Sequence, residues 1–473
     1  MLVLVICCSS LFIVGLDSTV VNVALPVIGR DLHASVSGLQ WTIDGYVLVL
    51  ASLLMLSGAT ADRVGRRRVF LIGLAVFTAG SGLCSLAPGL GWLVAFRMVQ
   101  AVGGSMLNPV AMSIITNTFT DRAERAKAIG VWGGAWGLSL ALGPVLGGAL
   151  VDTIGWRGVF WINIPVGVAA IALTARFVPE SRAPVARRPD IVGQGLLIAM
   201  LASLTYAIIE GPALGWGAPA ILALFALAAA SLAAFAGYEA RRAEPVLDPR
   251  FFRSAPFAGS VLTAIMAFAA MGGFLFLATL YLQDARGESA LRAGLHILPM
   301  AIIMALGAVL SSRILARRGA RLPMLASGLG MAAGGVLLSR LTDASPTWPI
   351  VLAFCVFGIG AGLVNPPITY AAVSGMPTTQ AGVASSIAST SRQVGQSLGV
   401  AVTGSILAAS LHGPLQARFV PASHAAWILL AACGAAVFLL GLATTSRWAL
   451  GTAARTAARY EDTAEPKTAV TTR

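Results

Sequence analysis

Charged side chains make up 11% of the 473 residues, less than half of the roughly 25% in an ordinary soluble domain. So little charge cannot clothe a water-soluble globule of this length, and that class is excluded. Lysine is nearly absent: Lys127 and Lys467 stand alone among 32 basic residues, the rest being arginine. Histidine is confined to His33, His296, His412 and His424, all close to the ends of apolar runs. With no HExxH or Walker loop in the chain, the sequence offers no metalloprotease or self-contained ATP-driven pump. The five cysteines, Cys7, Cys8, Cys84, Cys355 and Cys433, lie in apolar segments without a CxxC pair or a histidine at ligand spacing, so neither a disulfide framework nor a metal site is implied.

What is abundant is apolar. Hydrophobic residues reach 57% and the mean hydropathy is +0.84, the composition of a polytopic membrane protein. A spanning helix needs about 20 apolar residues, and fourteen such runs follow one another from Leu2–Val27 to His424–Thr445, with Ile191–Ile209 and Ala218–Tyr238 as the seventh and eighth. The first run has no basic stretch ahead of it and no small-residue cleavage site, so it reads as an uncleaved span. The net charge of +13 sits in short clusters between runs rather than in a patch, which argues against a nucleic-acid partner. Most Lys and Arg fall in the loops beginning at Ala59, Thr120, Pro179, Glu239, Arg313 and Val373 and in the tail from Ser446. That bias places those loops and both termini in the cytoplasm. Arginine in place of lysine, with abundant alanine, points to a GC-rich bacterial genome and hence to the bacterial cytoplasmic membrane. Gly58 to Arg68 (GATADRVGRRR) and Ser312 to Arg321 (SRILARRGAR) form a weak internal repeat in which Arg317 and Gly319 are kept and Ala316 replaces Asp62.

Polar groups inside the runs are the informative ones. Asp17, in LDSTVVNVALP (Leu16 to Pro26), lies about 22 Å along the first span, while Asp44 and Arg97 lie some 8 to 9 Å in from the outer ends of the second and fourth. A charged carboxylate at such depth costs at least about 2.5 kcal/mol. An aspartate whose surroundings change between two conformations can take up a proton in one and release it in the other. The same residues also fit a fixed Asp–Arg tie between helices, and Asp44 fits a wetted outer carboxylate. In the thirteenth run Ser385, Ser389, Arg392, Gln396, Gly399 and Thr403 recur every three or four residues, a polar stripe on one face that suits a cavity wall or a helix–helix contact. The fifth run is dense in glycine, with Pro144 following Gly143, a pattern of close approach combined with a bend.

Several motifs resemble one family. GATADRVGRRRVFL (Gly58 to Leu71) resembles the loop signature of the major facilitator superfamily, and LDSTVVNVALP the first-helix signature of its fourteen-helix drug:proton antiporter branch. RMVQAVGGSMLNP (Arg97 to Pro109) resembles the fourth-helix arginine motif, and GLSLALGPVLGG (Gly137 to Gly148) the fifth-helix antiporter motif. WTIDGY (Trp41 to Tyr46), WRGVFWINIPVG (Trp156 to Gly167) and RQVGQSLGVAVTGS (Arg392 to Ser405) also look like members of that branch.

The resemblance implies an all-α integral membrane protein of the major-facilitator type, with two six-helix bundles plus two intervening helices. Its parts are a bundle over residues 1–180, two linker helices over 181–250, a second bundle over 251–447 and a disordered cytoplasmic tail over 448–473. It implies a monomer that exports small amphipathic organic compounds (drugs, antibiotics or related metabolites) in exchange for protons, by alternating access across the lipid bilayer. The proton gradient is then the energy source, and neither a cofactor nor an enzymatic step is called for. Proton coupling would fall to Asp17, Asp44 and Arg97. Asn22, Tyr46, Gln100, Asn108, Asn365, Tyr370, Ser389, Arg392 and Gln396 would line the substrate cavity. Gly58, Asp62, Arg63, Gly65, Arg66 and Arg67 would form a gating loop that latches the cytoplasmic side, and Gly137, Gly143, Pro144, Gly147 and Gly148 a hinge. An importer or uniporter on the same fold, or a non-transporting sensor, are the alternatives. The glycine–proline pattern argues against the first, and efflux itself would exclude the second.

Overall fold

The computed structural model describes residues 1–182, 190–242, 248–374, 376, 381–411 and 415–464. Among these residues every regular element is helical. The elements are α1 (Leu2–Asp31), α2 (Val36–Val64), α3 (Arg66–Ser85), α4 (Leu90–Thr118), α5 (Arg122–Ile154), α6 (Gly158–Trp161), α7 (Asn163–Phe177), α8 (Ile191–Leu214) and α9 (Pro219–Glu239). A 3₁₀ turn at Pro249–Arg253 leads to α10 (Ala255–Leu280), α11 (Ala290–Arg318), α12 (Arg321–Ser339), α13 (Thr347–Val373), α14 (Ala381–Ser410), α15 (Leu415–Thr444) and α16 (Arg447–Ala464). Thirteen spans among the described residues are long and apolar enough to cross a membrane, with α6 and α7 counted as one. The thirty-residue α14 lies among them against α10 and α2, which is compatible with fourteen.

Helical spans are what apolar surroundings permit, because each satisfies its own backbone groups. Their ends are fixed locally. Ser35, Asp121, Asp190 and Ser289 each accept a hydrogen bond from an amide in the first turn of the helix they precede, as N-caps do. The two loops of the internal repeat share a device: Gly65 (φ +128°) separates α2 from α3, and Gly319 (φ +76°) ends α11 before α12. A side chain at Gly65 would be strained by its φ, and its Cβ would stand 2.7 Å from the Glu180 carboxyl.

The spans alternate in direction, so their turns gather at two ends: a terminal end, which carries Met1 and Ser446, and a distal end opposite. At the distal end the two halves of the chain are bound together. The Asp152 carboxylate of α5 accepts the first amides of α11, Ala290 N–H (3.2 Å) and Leu291 N–H (3.0 Å). It thereby satisfies backbone donors that a helix start leaves free, and opposes the positive end of the helix dipole. Gln40 of α2 donates to the carbonyls of Val400 (3.2 Å) and Ala401 (2.7 Å) on α14, and Gln283 donates to the Val23 carbonyl (2.8 Å). Glycine makes the approach possible: a Cβ at Gly148 would lie 2.6 Å from the Leu291 Cα.

Toward the terminal end the same face of α5 loses its partner. Gly148, Pro144, Gly137, Gly134 and Gly130 follow one helical face at steps of three, four and seven. The first two are packed against α11, whereas a Cβ at Gly137, Gly134 or Gly130 would meet nothing within 4 Å. The structure is therefore closed at the distal end and parted between α5 and α11 at the terminal end.

The pair α8–α9 spans the α2–α14 seam, with Trp41 Nε1 donating to Glu210 (2.8 Å) and Ser405 to the Ile208 carbonyl (2.5 Å). The tail departs from the disorder expected over 448–473. Arg447–Ala464 is helical, with Ala449, Ala453 and Thr456 buried on one face. Thr452 Oγ1 accepts the Ala255 N–H that opens α10 (2.9 Å). Residues 465–473 lie outside the described residues.

If the Asp152 contact holds the distal end shut, Asp152→Ala will widen it. In a cysteine-free background, spin labels at Thr153→Cys and Arg292→Cys should move to a longer and broader distance distribution when Asp152→Ala is added. An unchanged distribution would show that the glycine packing alone closes this end.

Candidate functional site

Four helices converge on one ion pair. Asp17 of α1 is 1% exposed, and both of its oxygens are engaged. Oδ2 accepts Arg97 Nη1 at 2.5 Å, while Oδ1 accepts Gln100 Nε2 at 2.9 Å and Asn163 Nδ2 at 3.0 Å. Arg97, itself 2% exposed, also donates to Gln100 Oε1 (2.9 Å) and to the Thr42 carbonyl of α2 (3.3 Å). Its guanidinium stacks on the Tyr46 ring, 4.1 Å from the centroid, where the π face adds a further attraction for the cation. Asn163 in turn donates to Ser81 Oγ (3.1 Å), whose own hydroxyl donates to the Phe160 carbonyl.

The glycines of α3 and α4 position this clamp. A Cβ at Gly80 would fall 2.7 Å from the Gln100 Cα, and one at Gly103 would fall 2.8 Å from the Phe77 Cα. Only bare backbone lets α3 and α4 approach closely enough to set Arg97 and Gln100 facing α1. A buried ion pair survives desolvation when its remaining hydrogen-bonding capacity is filled, and here two amides donate to the carboxylate oxygen that faces away from Arg97's bond. Tyr46 and Gln100, expected to line a substrate cavity, are thus brought into the clamp. Asn163 escaped the sequence reading although it stands in the quoted motif WRGVFWINIPVG; an amide within an apolar run was the available signal.

Asp44 is differently placed. It stands apart from Arg97, is fully buried, and neither carboxyl oxygen has a hydrogen-bond partner in the protein. Ser397 of α14 faces it without reaching hydrogen-bond geometry. The wetted outer carboxylate allowed by the sequence does not describe this conformation. A bare carboxylate in such surroundings is costly to keep ionised.

A second polar group forms between α13 and α14. Arg392 Nη1 donates to Asn365 Oδ1 (2.8 Å) and Thr369 Oγ1 (3.3 Å), and Nη2 donates to Ser389 Oγ (2.9 Å). Gln396 follows one turn along α14, partly exposed. Tyr370 is 52% exposed and outside this cluster. Asn22 donates to the Ser18 carbonyl within α1 (2.7 Å), and the Oδ1 atoms of Asn22 and Asn108 have no protein partner.

The α2–α3 loop is tied to the segment after α7. Asp62 pairs with Arg66 (2.9 Å), Arg66 N–H donates to the Ser181 carbonyl (2.9 Å), and Arg67 N–H donates to Glu180 (3.1 Å). The Arg67 guanidinium bonds the Ala175 carbonyl, Arg68 lies 3.7 Å from Glu180, and Arg63 is exposed. Among the described residues no hydrogen bond or ion pair of this loop passes residue 181, in keeping with a terminal end that stands parted. Gly58 makes only ordinary contact with Pro109. Of the expected hinge, Gly143, Pro144, Gly147 and Gly148 are packed against α1 or α11, and Gly137 faces open space.

Two sets of spans closed at one end and parted at the other, around buried polar clusters at membrane depth, define a secondary transporter. The chain belongs to the Major Facilitator Superfamily, whose sequence profile matches residues 7–400. The multidrug resistance protein Stp of Mycobacterium tuberculosis (strain CDC 1551 / Oshkosh) is 37% identical over 406 residues, 86% of this chain and 75% of the relative. The methylenomycin A resistance protein of Streptomyces coelicolor (strain ATCC BAA-471 / A3(2) / M145) is 36% identical over 92% of this chain and 89% of its own length. Among solved structures, the peptide transporter POT in complex with sulfate matches with a TM-score of 0.70 at 13% identity, covering 96% of this chain and 95% of that one. A bacterial homolog of the human lysosomal transporter Spinster, in an inward-facing and unoccupied conformation, matches at 0.63 and 18% identity over 97% of both chains. These likenesses establish the fold, and the family is one of transporters rather than enzymes.

Breaking the clamp from one side leaves a buried charge uncompensated, at a cost of about 3–5 kcal/mol. Arg97→Gln is expected to lower the thermal unfolding midpoint of the detergent-solubilised protein sharply, and Asp17→Asn to do so as well. The double variant should recover much of the loss, and a double-mutant cycle with no coupling would contradict the assigned pairing.

Proposed function

We propose that the protein is a proton-coupled exporter of small amphipathic organic compounds, and that its two intramembrane aspartates divide the work. The observation that carries this reading is their contrast: Asp17 has both oxygens bound, whereas Asp44 is equally buried with none bound. Asp17, Arg97, Gln100 and Asn163 hold α1, α2, α4 and α7 as one body in every state. Asp44 is the carboxyl that loads and unloads the proton.

The bias of basic loops makes the terminal end cytoplasmic, and the present form is then inward-facing. In the outward-facing form α2 and α14 separate and Asp44 meets water. Protonation there neutralises it and permits the seam to close again, so a proton from the more acidic side drives the molecule inward. In the inward-facing form the proton leaves to the cytoplasmic side through the parted end, and by the same linkage its loss favours reopening outward. Substrate loads from the parted terminal end, in the space lined by Arg392, Asn365, Ser389 and Gln396, and leaves when the distal end opens. Gly143, Pro144, Gly147 and Gly148 bend and seat α5 against α11 in one state, and the Asp62 loop latches the cytoplasmic side in the other. The relatives' printed names concern drug and antibiotic resistance, which supports export of such compounds from the bacterial cytoplasmic membrane. The working unit is a monomer of two six-helix bundles (1–180 and 251–447) with α8 and α9 between them, drawing on the proton gradient and no cofactor.

The test uses rhodamine 123 in vesicles with an imposed pH gradient. Wild type should move the dye against its gradient, and Asp44→Asn should cut gradient-driven movement at least tenfold while dye exchange without a pH gradient persists. Undiminished gradient-driven transport in Asp44→Asn would remove Asp44 from the coupling role.

A further inference from the structure

Arg392 is a second intramembrane cation, and it differs from Arg97 in having no anion. Its three hydrogen bonds go to Asn365 Oδ1, Thr369 Oγ1 and Ser389 Oγ, all neutral acceptors. Among the described residues no carboxylate pairs with it, whereas Arg97 is paired with Asp17 at 2.5 Å. A cation inside a membrane protein normally faces a counter-ion, a backbone carbonyl or a water-filled cavity. The clamp around Arg97 is sealed, but this cluster is open: Asn365 is exposed, and Arg392, Thr369 and Ser389 are partly so.

The position matters as much as the charge. Arg392 is eleven residues from Ala381, the start of α14 (392 minus 381), which is about 16 Å along the helix. That is deeper than lipid phosphates reach, so a headgroup is not the natural anion here. Nor is the guanidinium loose. Asn365 and Thr369 engage Nη1 from α13, one turn apart, and Ser389 engages Nη2 from α14 itself. Of the five N–H groups of arginine, this leaves Nε–H and one N–H of Nη2 for a further acceptor. Two remaining donors on one guanidinium suit a two-oxygen acceptor, and fixing the group beforehand lowers the entropy lost on binding.

We propose that Arg392 is the anchor for a carboxylate or another two-oxygen anionic group of the transported compound, so that the substrate range includes organic acids as well as cations. This deepens the export reading and rests on it for direction of transport, but the binding claim stands by itself. Asn365, Thr369 and Ser389 are positioning residues that hold the guanidinium in place. Asp44, on the α2 side, handles the proton and is no part of the anion's contact.

The experiment compares two dyes that share a xanthene skeleton and carry opposite charge, fluorescein and rhodamine 123. Both are titrated by fluorescence anisotropy against the full-length protein in phosphatidylcholine nanodiscs. Relative to wild type, Arg392→Gln should raise the fluorescein Kd at least tenfold more than the rhodamine 123 Kd. Arg392→Lys, which keeps the charge and loses the fork, should give a smaller shift in the same ratio. Asn365→Ala and Ser389→Ala should move it in the same direction, and they keep the test decisive should Arg392→Gln fail to fold. Equal changes for both dyes, an unmoved ratio, or no binding of fluorescein to wild type would each overturn the proposal. Separately, vesicles that move neither dye under a pH gradient would count against the export reading, while a shifted binding ratio would still uphold the anion site.

Discussion

A guanidinium placed in apolar surroundings obliges its neighbours to supply an anion and fill its remaining donors, and Arg97 imposes that demand on four helices at once. α1 answers with Asp17, which Asn163 of α7 holds in turn, α4 with Gln100, and α2 with the Thr42 carbonyl and the face of Tyr46. None of these could be moved independently without leaving a charge bare. The bare glycine backbones of α3 and α4 follow from the same demand, since α4 must come close enough for the contacts to form. The first half of the molecule is therefore rigid at its centre, and freedom to move is displaced to its boundary with the second half.

That boundary is built from weaker and more reversible terms. Asp152 on the start of α11, Gln40 on two carbonyls of α14 and Gln283 on the Val23 carbonyl make only one or two hydrogen bonds each to backbone, which water can replace when the seam opens. Glycine packing along α5 adds contact area without interlocking side chains. Such a seam can close fully and part again without repacking either half. Rigid bodies joined by a wettable seam are what an alternating-access cycle requires.

Much of this was legible in the sequence, for physical reasons. Apolar run length reports spans directly, because backbone satisfaction in lipid leaves helices as the economical solution. Asp17 and Arg97 declared themselves by being charged where charge is costly. Partner choice was less legible. Depth estimates put Asp44 near the same level as Arg97, but depth says nothing about azimuth, and Asp44 faces α14 across the seam instead. Tyr46 and Gln100 read as cavity residues because side chains directed into a sealed cluster and into an open one look alike along a sequence. Asn163 and Ser397 were passed over because a single neutral polar residue in an apolar run carries little signal by itself. The helical tail was missed because its alanines and threonines resemble a disordered segment in composition, and only their spacing on α10 distinguishes them.

That tail has a practical side. Thr452 accepts the first amide of α10, and Ala449, Ala453 and Thr456 cover the adjoining surface, so the last helix acts as a borrowed N-cap for the first span of the second half. Caps of this kind contribute about 1 kcal/mol. A reporter or affinity tag joined after Ala464 leaves the cap in place. One joined at Ser446 takes it away, and would perturb the helix that begins the half of the protein holding Arg392.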